Sequence, residues 1–197
     1  MRINPFIKRW TIANVIGSCL AYLFVALTSS LIPALFADKW TQMFLLMIIS
    51  PFVLIIGSYI LGKAQWWGLK ELIPNIKTWG CATSLGYSAG GAIGFGIFYF
   101  NQGSAFVALI AIILTGAFIG MVQTCVLPNK FKKSFLWIPT QSLLLALSFI
   151  EIFYFIRIAN FYHIYINGIL TFFILLIFVT AVYGLLSGLV LRSLVRT

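Results

Sequence analysis

Apolar residues run in long blocks along this chain, and short polar, mostly basic segments break the blocks apart. Six blocks are long enough to cross a hydrocarbon core as helices: Trp10–Phe36, Trp40–Leu61, Trp79–Phe100, Ser104–Leu127, Phe135–Ala159 and Tyr165–Leu191. All are too long for barrel strands, which need about 9–11 residues. A helix satisfies its own backbone hydrogen bonds in lipid. The pattern therefore predicts an all-α integral membrane bundle of six transmembrane helices, formed by a single domain over residues 1–197. The first block follows a basic stretch, Met1–Arg9, but its apolar run far exceeds a signal-peptide core, which predicts an uncleaved helix.

Composition supports the same solvent. Charged residues make up 8% of the chain and hydrophobic residues 62%, too few charges to cover a water-soluble globule. The lipid bilayer is thus the first predicted partner. Charge adds orientation. A net charge of +10 would raise nucleic acid as a partner for a soluble protein. Here eleven of the thirteen Lys and Arg residues fall before span 1, between spans 2 and 3, between spans 4 and 5, or after span 6. Only Lys39 and Arg157 are left for the other side. The positive-inside rule then gives an N-in/C-in topology of three up–down hairpins and removes the case for nucleic acid. The predicted location is a bacterial-type inner (plasma) membrane, with a thylakoid as the alternative.

The hairpins leave a faint internal repeat. Span 2 ends Ser58-x-x-x-Gly62-x-x-Gln65, and span 4 ends Gly116-x-x-x-Gly120-x-x-Gln123. Span 6 ends Gly184-x-x-x-Gly188, with Leu191 at the Gln position. The run from Gly62 to Leu69, echoed from Gly120 to Leu127, resembles an uncharacterised cyanobacterial-type multi-pass membrane family with repeated GxxxGxxQW-like segments. The second window departs from that pattern at Thr124, and the third lacks both Gln and Trp. The resemblance implies multi-pass topology and carries no activity.

Span 3 holds two small-residue series, Ala82, Gly86, Gly90, Gly94 and Ser84, Ser88, Ala92, Gly96, on nearly opposite faces. Small residues let helix backbones approach closely in lipid, so Gly86, Gly90, Gly94, Gly116, Gly120, Gly184 and Gly188 are the predicted packing positions. Span 3 is accordingly expected to be sandwiched at the bundle centre. Span 5 carries the one acid expected at membrane depth, Glu151, on a seam shared with Gln141 and Ser148. A carboxylate there must be paired, hydrated or protonated. Either it binds a ligand, ion or proton, or it is held by polar residues of span 1 such as Asn14, Ser18 and Thr28. Arg157 and His163, near the outer interface, complete the candidate ligand- or ion-binding set of Glu151, Gln141, Ser148, Asn14, Arg157 and His163.

The segment Lys63–Lys77 reads as a short amphipathic element lying in the interface plane, ended by Pro74. One His and three separated Cys predict no metal centre, no disulfide framework and no cofactor. Cys125, Arg157 and His163 lie at opposite predicted faces, and no catalytic motif is present, so no enzyme is expected. Two functions remain. One is a non-enzymatic packing or ligand-binding subunit of a larger membrane complex or homo-oligomer. The alternative is a small autonomous transporter or channel using Glu151.

Overall fold

The computed structural model describes residues 4–35, 38–70, 72–74, 76–100, 104–128, 133–161 and 168–196. The described residues form six long helices: α1 (Pro5–Leu35), α2 (Lys39–Leu69), α3 (Trp79–Phe100), α4 (Ala105–Val126), α5 (Trp137–Phe161) and α6 (Gly168–Arg196). A 3₁₀ turn, Ser134–Leu136, leads into α5. No strand occurs among the described residues.

Five helical segments are long and apolar enough to cross a membrane: Pro5–Thr28, Ile48–Leu69, Ala105–Val126, Ser134–Ile152 and Phe173–Leu194. The chain is therefore an all-helical, multi-pass membrane protein. The remaining long helix, α3, is not among these spans; it has the length, but Gly, Ser and Thr interrupt its aliphatic and aromatic side chains.

Each helix packs chiefly against its two chain neighbours, and α6 returns to α1, so the six close into a ring. The contact between α5 and α6 is the least extensive of the six. This arrangement corrects the expected position of α3. It is sandwiched, but in the ring between α2 and α4, equivalent to the other helices and not central. Its two small faces divide between these neighbours. Ser84 Oγ donates to the Ile55 carbonyl of α2 at 2.9 Å. On the opposite side a Cβ added at Gly86 would lie 2.8 Å from Ile119 Cα of α4. Thr115 of α4 donates to the Gly90 carbonyl at 2.8 Å.

The segment after span 2 also differs from expectation. Instead of a separate interfacial element, Lys63–Leu69 extends α2 by two turns. The reason is visible in its burial: Leu69, Ile73 and Ile76 turn inward and join Phe6, Trp10, Trp79, Trp137 and Leu191 in the core at this end of the ring. Burying that face stabilises the extension. At the other end of α2, Asp38 caps the helix. It accepts from the Thr41 backbone N–H at 2.7 Å and from Thr41 Oγ1 at 2.8 Å, which holds its carboxyl below the ordinary value.

Candidate functional site

The starts of α1, α3 and α5 and the ends of α2, α4 and α6 meet at one end of the ring, where three tryptophans converge. Trp10 and Trp79 have ring centroids 6.3 Å apart, edge to face, and Trp79 and Trp137 are 6.4 Å apart. All three are essentially inaccessible to solvent. An indole N–H buried among apolar groups needs an acceptor. Each finds one on the even-numbered helix beside it. Trp79 Nε1 donates to Gln65 Oε1 at 3.1 Å, and Trp137 Nε1 to Gln123 Oε1 at 2.8 Å. Trp10 Nε1 donates to Ser187 Oγ at 2.8 Å.

The two glutamines also reach in the other direction around the ring. Gln65 Nε2 donates to Asn14 Oδ1 of α1 at 2.9 Å, and Gln123 Nε2 to Thr83 Oγ1 of α3 at 2.9 Å. Thr83 in turn donates to Gln65 Oε1 at 3.3 Å, and Asn14 Nδ2 to the Trp10 carbonyl at 2.9 Å. Each glutamine therefore ties together three helices: α1, α2 and α3 for Gln65, and α3, α4 and α5 for Gln123. Glutamine suits this position because one side chain supplies two donors and two acceptor lone pairs.

Close backbone approach makes these bonds possible. A Cβ on Gly62 would lie 2.8 Å from Gly80 Cα and 2.7 Å from Thr83 Cβ. On Gly120 it would lie 2.7 Å from Ile138 Cα and 3.2 Å from Gln141 Cβ. The matching position on α6 is Gly184, whose added Cβ would lie 2.9 Å from Thr11 Cα and 3.2 Å from Asn14 Cβ. In each case the glycine meets the residues one and four places after the tryptophan.

This fixes the register of the internal repeat and corrects the one expected from sequence. Gly62, Gly120 and Gly184 are equivalent, so Ser187, and not Leu191, stands where Gln65 and Gln123 stand. Leu191 is instead the counterpart of Leu69 and Leu127, all three being buried beneath the tryptophans. Gly188 meets the Trp10 ring itself, with Cδ1 2.8 Å from an added Cβ. Gly116, one turn before Gly120, approaches Ser142 Cα to 2.6 Å on the same measure. Gly94 approaches Thr115 Oγ1 to 2.7 Å.

The residue four places after Trp137 is Gln141, the counterpart of Asn14 and Thr83. Tyr183 of α6 donates its hydroxyl to Gln141 Oε1. The Gln141 Nε2, fully buried, has no hydrogen-bond partner. Tyr87 of α3 lies close to Tyr183 across the ring.

The candidate set expected from sequence does not assemble as one site. Asn14 and Gln141 belong to the tryptophan end. Glu151 lies ten residues further along α5 than Gln141, about 15 Å along the axis. It is half-buried and has no hydrogen-bond partner among the described residues. Of the three span 1 groups offered as its partners, Asn14 bonds to Gln65 and Thr28 to the Phe24 carbonyl at 2.8 Å, and no bond joins Ser18 to Glu151. Ser148 donates to the Leu144 carbonyl at 2.9 Å. His163 and the Arg157 side chain lie outside the described residues.

Sequence reading missed the tryptophans as a set. The signal was there, because Trp10, Trp79 and Trp137 each precede a hydrogen-bonding residue by four positions, and Gln65–Trp79 and Gln123–Trp137 share one spacing. Comparison of the chain with protein-family models, curated proteins and solved structures gives no match.

Proposed function

We propose that the chain is a non-enzymatic integral membrane protein that serves as a packing or ligand-binding subunit of a larger membrane assembly. The observation that carries this reading is the network itself. The polar groups at the tryptophan end bond chiefly to one another and join all six helices, which is what a rigid scaffold requires. Around that scaffold large apolar side chains such as Leu20, Phe52, Leu85, Phe106, Leu143 and Phe178 face outward, available to lipid or to a neighbouring subunit.

In this reading all six helices span the bilayer. The 22 residues of α3 extend about 33 Å, enough for a ~30 Å hydrocarbon core, and its small side chains are offset by closer packing on α2 and α4. The tryptophan end faces the cytoplasm of a bacterial-type plasma membrane, because the basic loops cluster there. Reporter fusions at Lys39 and Lys77 should report the outer and the cytoplasmic side respectively; swapped sides would reverse the topology, and one shared side would mean that α2 does not cross.

Pull-down of the tagged chain in mild detergent, followed by mass spectrometry, tests the subunit role. A stoichiometric membrane partner supports it, and a chain recovered alone as a clean homo-oligomer counts against it. The second reading, a small transporter or channel, draws support from Glu151, the half-buried carboxylate without a bonding partner on α5. Flux into vesicles that Glu151→Gln abolishes would favour it, and unchanged flux would dismiss it.

A further inference from the structure

The outward face of α2, flanked by Arg9 of α1 and Gly80 of α3, carries an ordered series of side chains. Phe52, Ile56, Tyr59, Lys63, Trp67 and Lys70 fall within an arc of about 80° at 3.6 residues per turn. All of them are exposed. At the tryptophan end of this stripe the cations are organised by aromatic rings. The Arg9 guanidinium of α1 lies 4.1 Å from the Trp67 ring centroid. Lys63 Nζ lies 5.3 Å from the Tyr59 ring and 5.4 Å from that of Trp66. The buried Trp66 Nε1 beneath has no hydrogen-bond partner.

Toward the other end the stripe turns apolar. From Lys63 back to Phe52 it runs about 16 Å, close to the depth of one leaflet of a ~30 Å hydrocarbon core. The described acids lie elsewhere: Asp38 caps the far end of α2, and Glu151 is on α5. Glu71, next to Lys70 in sequence, lies outside the described residues.

We propose that this face is a site for one anionic phospholipid. Its phosphate sits among Arg9, Lys63 and Lys70, and its acyl chains run along Tyr59, Ile56 and Phe52. A soluble acidic partner would match the cations but would leave the apolar stripe unexplained. A zwitterionic lipid would bring its own cation against three others. The inference rests on the membrane-embedded reading above and adds a lipid class and a position to it.

The test uses the full chain in mild detergent, titrated with phosphatidylglycerol or phosphatidylcholine and read as lipid adducts by native mass spectrometry. The expected result is one phosphatidylglycerol bound about tenfold more tightly than phosphatidylcholine. Replacing Arg9, Lys63 and Lys70 together by Gln should bring that ratio near one, whereas Lys39→Gln, at the other end of α2, should leave it intact. A wild-type chain without the preference, or a triple variant that keeps it, overturns the site. If the triple variant fails to fold, Lys70→Gln alone should lower the ratio about threefold, and an unchanged ratio is again fatal. Failure of the underlying reading would look different: the chain would leave the membrane in alkaline carbonate without detergent.

Discussion

Three joints hold the ring together at its tryptophan end, and only two of them are complete. At α2–α3 and at α4–α5 a glutamine accepts from the tryptophan of the next helix and donates to the helix before. At α6–α1 the serine Ser187 accepts from Trp10 but is too short to reach back to α5. One helix away, Gln141 keeps an unbonded Nε2, and α5 makes less contact with α6 than with α4. In a structure otherwise built on repetition, the joint with the shortened side chain stands next to the least extensive interface. The same backbone approach occurs at all three joints, so the difference lies in side-chain reach and not in helix spacing.

The largest effect should come from breaking a complete joint at its backbone contact. Gly62→Val would drive branched carbons into Gly80 Cα and the Gly80 carbonyl, 2.8 and 2.9 Å from where even a Cβ would stand. Neither atom is the mobile end of a side chain. The expected cost is about 3 kcal/mol or loss of folded protein altogether, read by thermal melting in detergent. Gly91→Ala, whose Cβ would meet nothing within 4 Å, is the control and should be neutral or slightly stabilising. Equal melting of the two variants would mean that the glycine approach does not set the joint. Gly90→Leu, with Thr115 Cα 3.2 Å from the added Cβ, should fall between them and disturb assembly of α3 on α4.

Next comes the polar half of the joint. Gln123→Leu keeps most of the volume but strands the Trp137 N–H and removes the donor to Thr83, for an expected loss of about 2 kcal/mol. Hydrogen bonds between membrane helices average less than that, roughly 0.6 kcal/mol, because the separated helices find other partners. The larger figure follows from the two bonds lost and the buried donor left behind. Trp10→Phe at the incomplete joint should cost less than Trp137→Phe, since Ser187 still donates to the Gly184 carbonyl at 3.3 Å while Gln123 would keep a buried, half-used carbonyl. Equal losses for the two would erase the distinction between the joints.

How far the sequence foretold this depends on the length scale. Block length and hydropathy located every long helix, because transfer of a helix into lipid is decided by summed side-chain character and not by single contacts. Boundaries were less legible. The end of α2 ran past Leu61 because Leu69 found a tertiary core, and tertiary burial has no local signature. Gly62, Gly120 and Gln123 stood out as a repeat, yet its third copy was placed one turn late. Gly184 and Gly188 both satisfy the glycine spacing, and only the approach to Thr11 and Asn14 tells them apart. Glu151 drew attention through its rarity in an apolar helix. The tryptophans did not, since a Trp at a membrane helix end is ordinarily an interfacial anchor. Here three of them face inward.

The smallest effect has the opposite sign and discriminates best. Ser187→Gln would restore the residue type found at the other two joints. Its Oε1 can take the Trp10 N–H, and its NH2 can donate to Gln141 Oε1 once the Gln141 amide turns so that Nε2 donates to the Tyr183 hydroxyl oxygen. The added volume must fit beside Tyr183, whose hydroxyl now serves Gln141, so part of the gain is offset by repacking. A net stabilisation of about 0.5–1 kcal/mol is expected, with slower exchange of the α6 amides near Gly184. Destabilisation by a similar amount would show that Tyr183 already completes the third joint in its own way. The serine would then be an accommodation to the Tyr183–Gln141 link between α6 and α5, and the asymmetry would belong to the centre of the bundle instead of its seam.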